Sequence, residues 1–88
     1  MQVLWNDEKN SKLIAERGLS LETFASLILE KKYLVILKSP SRAEQKIFII
    51  SFQNYTYVVP FIIDCKQNII LKTVFPSRKY HKIYGGKK

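Results

Sequence analysis

The sequence predicts an α+β domain: an N-terminal helix pair, an antiparallel sheet of about four strands, and a short C-terminal helix. Three observations carry that prediction. The hydrophobic period changes from helical to alternating near residue 33. Nearly half the residues are hydrophobic (47%) and only three of 88 are glycine, which describes one folded domain, residues 1–88, with a modest core. The stretch from Ile69 to Tyr84 reads as a strand that stops at Pro76 and passes to a helix opened by Ser77.

Val3-Leu4-Trp5 is a short strand or a hydrophobic lead-in, ended by Asn6-Asp7. A surface helix follows from Asp7 to Arg17, with Asp or Asn as cap and Gly18 where a left-handed glycine would stop it. Ser20 opens a second helix whose Leu21, Phe24, Ala25 and Ile28 recur at core-facing spacing, while Lys31-Lys32 suit its negative end. The pair resembles a helix–turn–helix, but its second helix exposes mainly Glu22, Thr23 and Ser26 and reads as a packing element. Strands are expected at Tyr33–Leu37, Gln45–Phe52, Tyr55–Ile63 and Ile69–Phe75, with Gln53-Asn54 as a two-residue turn. Short connections make these neighbours antiparallel. Pro60 implies an edge position or a bulge. Gly85-Gly86-Lys87-Lys88 reads as a frayed basic tail.

Charge is unevenly spread. Residues 1–44 carry seven basic and six acidic groups, and the segment from Cys65 to Lys88 carries seven basic and none acidic. That asymmetry, within a net charge of +8, favours a polyanion, with nucleic acid ahead of a membrane surface. One cysteine and one histidine cannot supply a structural zinc set, and no Gly-rich phosphate loop is present. The acidic start is unlike a signal peptide, and no apolar run approaches the ~20 residues of a membrane helix, so a cytoplasmic protein is expected.

The residues left to do chemistry form a set with no metal or other cofactor: Lys46, Lys72, Arg78 and His81, with Lys79, Lys82 and Tyr84 beside them. Such a set suits RNA cleavage by the RNA's own 2′-hydroxyl, which needs the phosphorane charge neutralised and protons moved. Arg78 offers a planar fork to phosphate oxygens at a helix start, Lys72 and Lys46 offer point charges, and His81 can carry a proton. Lys72, sharing a face with Ile70 and Val74, either snorkels past apolar neighbours or points into the basic site. Lys46 opens its strand and reads first as an edge guard, with the basic site as the alternative. Arg78, His81 and Lys82 share one helix face, and Tyr80, Ile83 and Tyr84 the next, so one side can dock on the sheet. Arg78 and His81 are expected to be exposed. Tyr80 and Tyr84 serve packing or RNA stacking.

The segments Leu4-Trp5-Asn6-Asp7-Glu8-Lys9-Asn10, Glu16-Arg17-Gly18-Leu19-Ser20-Leu21-Glu22 and Ile70-Leu71-Lys72-Thr73-Val74-Phe75-Pro76-Ser77-Arg78-Lys79 together resemble the BrnT-type toxins, in the same order along the chain. The resemblance implies a RelE-like fold and a ribonuclease that blocks translation, with RNA as substrate, free or on the ribosome. It also implies a cognate antitoxin, typically a ribbon-helix-helix DNA-binding protein, and places Arg78 on the family's C-terminal basic motif. The chain departs from the pattern at Glu16-Arg17-Gly18, where the family usually reads Lys-His-Gly. His81 and Tyr84 also stand at positions where the family pattern has other types, so their roles rest on chemistry alone. The alternatives are a basic module that holds nucleic acid without cutting it and a decayed toxin that only binds its antitoxin.

Overall fold

The structure is a computed structural model that describes residues 2–40 and 42–85. Along the chain come β1 (Val3–Leu4), α1 (Asp7–Arg17), α2 (Leu21–Leu29), β2 (Val35–Lys38), β3 (Lys46–Phe52), β4 (Tyr55–Ile63), β5 (Ile69–Leu71) and β6 (Phe75–Pro76). The last element, α3 (Arg78–Tyr80), widens into a π-helical turn over His81–Gly85. The fold is α+β with helices at both ends of the chain, as the change of period predicts.

Local chemistry accounts for the helices. The Asn6 side chain accepts the Lys9 N–H at 3.0 Å to open α1. Gly18, at φ +67°, donates to the Ile14 carbonyl to close it. Ser20 caps α2 by accepting from Glu22, and Asn10 accepts the Leu21 N–H at 2.7 Å, which ties the two helices together. Beyond α2 the Lys31 and Lys32 N–H groups donate back to Ile28 and Leu27, with Lys31 itself left-handed at φ 58°. That is a Schellman stop without its usual glycine.

The sheet has six strands in the order β1-β5-β4-β3-β2, with β6 also on β4. The meander β2-β3-β4-β5 is antiparallel, and Gln53-Asn54, both at positive φ, make the expected tight turn between β3 and β4. Two features correct the expectation of about four antiparallel strands. β1 pairs in parallel with β5 (Val3 opposite Ile69), so the sheet is mixed. A two-residue strand carries no local signal for a partner 66 residues away, where Asn68 Oδ1 accepts the Gln2 N–H. The expected strand Ile69–Phe75 is also broken in two.

Pro60 explains the break. The Lys72 N–H donates to the Pro60 carbonyl at 2.9 Å, and the reciprocal bond is missing because proline has no N–H. On β4, Val58 and Phe61 stand three positions apart, while their partners Phe75 and Leu71 stand four apart. The broken strand thus holds one extra residue. Pro60 lies on an interior strand, not an edge, and the bulge alternative is the one realised. The extra residue also puts Val74 (1% exposed) on the same core as Leu71, rather than on the face of Lys72.

Two cores result. Leu13, Leu21, Phe24 and Ile28 of the helices pack on Phe48, Ile50, Val59, Phe61, Leu71 and Val74, with Phe48 and Phe61 stacked at 4.3 Å. On the other sheet face Ile47, Ile49 and Val58 lie under Tyr80 and Tyr84.

Candidate nucleic-acid interface

The four candidate catalytic residues do not form one cluster. Arg78 stands exposed at the start of α3, where the Ser77 hydroxyl accepts the Tyr80 N–H at 3.3 Å, as its N-cap position predicts. Lys79 and Lys82 are exposed on the same element, the Lys79 ammonium lying 5.3 Å from the centre of the Tyr80 ring. Tyr84 is half-buried against the sheet and stacked beside Tyr80. Ile83, expected to dock beside them, is 48% exposed, because the wider π-helical turn keeps residues four apart in line and swings the third away.

His81 differs from expectation. It is half-buried rather than exposed: Nδ1 lies 3.1 Å from Thr56 Oγ1 in a hydrogen bond, and its ring stacks on Tyr55 at 4.3 Å. Thr56 is fully buried, so His81 is the partner that satisfies its hydroxyl and pins the C-terminal turn to β4. Gly85 belongs to the same contact rather than to a frayed tail, since a Cβ there would strike the His81 ring and Thr56 Oγ1. Residues 86–88 lie outside the described residues.

Lys46 lies opposite Lys38 on the helix-covered face of the sheet. Its side chain borders an apolar hollow of about 270 Å³ formed by Leu29, Ile36, Phe48, Phe61 and Ile63. Lys72 is half-buried in a different and larger depression of about 690 Å³. This groove lies between α1, the Arg42–Gln45 loop and the broken strand. Its walls carry Lys9, Lys12, Arg17, Arg42 and Lys72 against the single carboxylate Glu16. None of the five cations is ion-paired among the described residues, where the salt bridge present joins Lys32 to Glu30. Phe75, 37% exposed, stands on its rim.

Sequence reasoning missed four of these five cations. Their signal was the spacing 9, 12 and 17 on α1, which sets cations on both flanks of the buried Leu13. Counting charge by segment hid it, because Asp7 and Glu8 balance the sum from the first turn, outside the groove. Among the described residues no three His, Cys, Asp or Glu side chains are placed to hold a metal ion. No described helix is long and apolar enough to cross a membrane.

A mixed sheet with a helix pair on one face and a C-terminal helical turn on the other is a fold shared with a solved protein. The crystal structure of the Brucella abortus ribonuclease toxin BrnT has this fold: it aligns with a TM-score of 0.65 over 88% of this chain and 96% of that one, at 23% sequence identity. The likeness is one of fold, and it agrees with the family resemblance of the three sequence segments. No protein-family model matches the sequence, and no curated protein does.

Proposed function

We propose that this protein is the toxin of a bacterial toxin–antitoxin pair, a metal-independent endoribonuclease that acts on RNA in the cytoplasm and so inhibits translation. The observation that supports it best is the groove of five unpaired cations in a chain with the fold of a ribonuclease toxin. Fixed positive charge without bound carboxylates holds a phosphodiester backbone and stabilises charge that develops on it.

In this reading the 2′-hydroxyl gives its proton to water as its oxygen attacks the adjacent phosphorus, and the bond from phosphorus to the 5′-oxygen breaks as that oxygen takes a proton from water. The products are a 2′,3′-cyclic phosphate and a 5′-hydroxyl. Arg78, on α3, takes two phosphorane oxygens in its fork, while Lys72, in the groove, holds a neighbouring phosphate. His81 holds the C-terminal turn in place through Thr56 and Tyr55 and does not itself move a proton, and Lys46 lies on the helix-covered face, away from α3. The partner is a cognate antitoxin, of ribbon-helix-helix type by the family resemblance. Leu29, Ile36 and Ile63, each more than 40% exposed around the apolar hollow, support a protein partner at that end of the sheet.

The test is incubation of the purified chain with a defined single-stranded RNA in EDTA, with end-group analysis of the fragments. Cyclic-phosphate ends are expected, and Arg78→Ala should lower the rate by on the order of 10²-fold, with Arg78→Lys restoring part. RNA that is bound but left intact by the folded protein would leave a non-catalytic binding module.

A further inference from the structure

We infer that the groove between α1 and the broken strand is a track for single-stranded RNA, in which the α1 cations follow the backbone and Phe75 stacks on a base. The inference rests on the ribonuclease reading for the identity of the polymer, and on the geometry for the track.

Three features of the groove converge. Lys9, Lys12 and Arg17 line the groove from α1, and the eight-residue step from 9 to 17 covers about 12 Å of helix axis. They are spread along the axis rather than gathered at a point, with Glu16 and the buried Leu13 between them, and spread charge matches successive phosphates. Arg42 and Lys72 come from the facing walls, so the positive charge surrounds the depression. Phe75 then supplies what a solvated basic surface lacks. Phe75 borders the groove with 37% of the residue exposed, and a phenyl ring that a base can reach takes stacking from any unpaired base. A duplex keeps its base faces inside its own stack, so this combination selects single strands.

The bulge opposite Pro60 is what places Phe75 there. Without the extra residue, Phe75 would exchange faces with Val74, which is buried in the core. By contrast, the cations of α3 stand on an exposed turn whose aromatic rings, Tyr80 and Tyr84, are committed to the sheet.

The experiment uses the whole chain and a fluorescent 2′-O-methyl RNA 12-mer. The methyl group blocks attack by the 2′-oxygen, so binding is read apart from cleavage. Phe75→Ala should weaken binding of the single strand by about tenfold or more, while Phe75→Tyr should bind as the parent does. The pair Lys9→Gln and Lys12→Gln should reduce the slope of log Kd against log salt by about 1.4, two phosphate contacts on a single strand. The same oligomer in a duplex should bind at least about fivefold more weakly and ignore Phe75→Ala. Thermal melts check that each variant is folded. Unchanged binding by Phe75→Ala, or an unchanged salt slope, would overturn the track. So would loss of binding only on replacing Arg78, Lys79 and Lys82, which would move the interface to α3. A chain that binds the probe as expected but never cuts unmodified RNA would sink the ribonuclease reading and leave the track standing.

Discussion

Replacing His81 by alanine separates a structural histidine from a chemical one. The substitution removes the hydrogen-bond partner of Thr56 Oγ1, a group with no solvent exposure, and the ring stacked on Tyr55. A buried hydroxyl left without its partner costs about 1–3 kcal/mol. The lost aromatic pair adds about 0.5–1.5 kcal/mol. Because His81 is itself half-buried, water entering the space it leaves recovers part of the first cost, and about 2 kcal/mol is expected overall. In a domain of this size that lowers Tm by roughly 10 °C. Urea unfolding of the wild type, His81→Ala, Thr56→Val and the double variant should give a coupling of about 1 kcal/mol between the two side chains. RNA cleavage should then fall only in step with the folded fraction. A His81→Ala protein as stable as its parent that cuts RNA at least tenfold more slowly would refute this reasoning and return His81 to proton transfer.

Other outcomes follow from local geometry. Lys31→Gly should raise stability by about 1 kcal/mol, seen as a higher Tm, because glycine adopts the left-handed stop of α2 without steric cost. Gly85→Ala should destabilise by about 1–3 kcal/mol in urea unfolding, since its Cβ meets Thr56 Oγ1 at 2.7 Å and must displace the C-terminal turn. The Asp64 carboxylate is held below its usual pKa, chiefly by the Asn68 N–H, and the Lys66 N–H adds to this against an opposing desolvation. A depressed carboxylate stabilises the fold above its unfolded pKa and loses that contribution as pH falls through the folded value. Wild-type stability should therefore decline from about pH 4 downward, and Asp64→Asn should flatten that part of a Tm-against-pH profile.

Much of the molecule was legible in the linear sequence because the signals are local. Asn6, Gly18, Ser20 and Ser77 act within four residues of themselves, and each stands where the helix ends it governs were expected. The alternation of Tyr55–Ile63 and the turn at Gln53-Asn54 are also short-range, and they appear in the structure with the expected bounds. By itself, then, the sequence determined the helix pair, the antiparallel meander, the C-terminal helix and the excess of positive charge. Tertiary structure decided the rest, for one physical reason: these features arise between residues far apart in the chain. Pro60 breaks the strand at Lys72 through a hydrogen bond that it cannot donate across the ladder, and β1 finds its neighbour in β5. The groove gathers α1, the Arg42 loop and the broken strand, so cations whose segment looked nearly neutral face one cavity while Asp7 and Glu8, two of the carboxylates that balance them, lie outside it. His81 reads from the sequence as an exposed proton carrier, and the fold instead sets it over the buried Thr56.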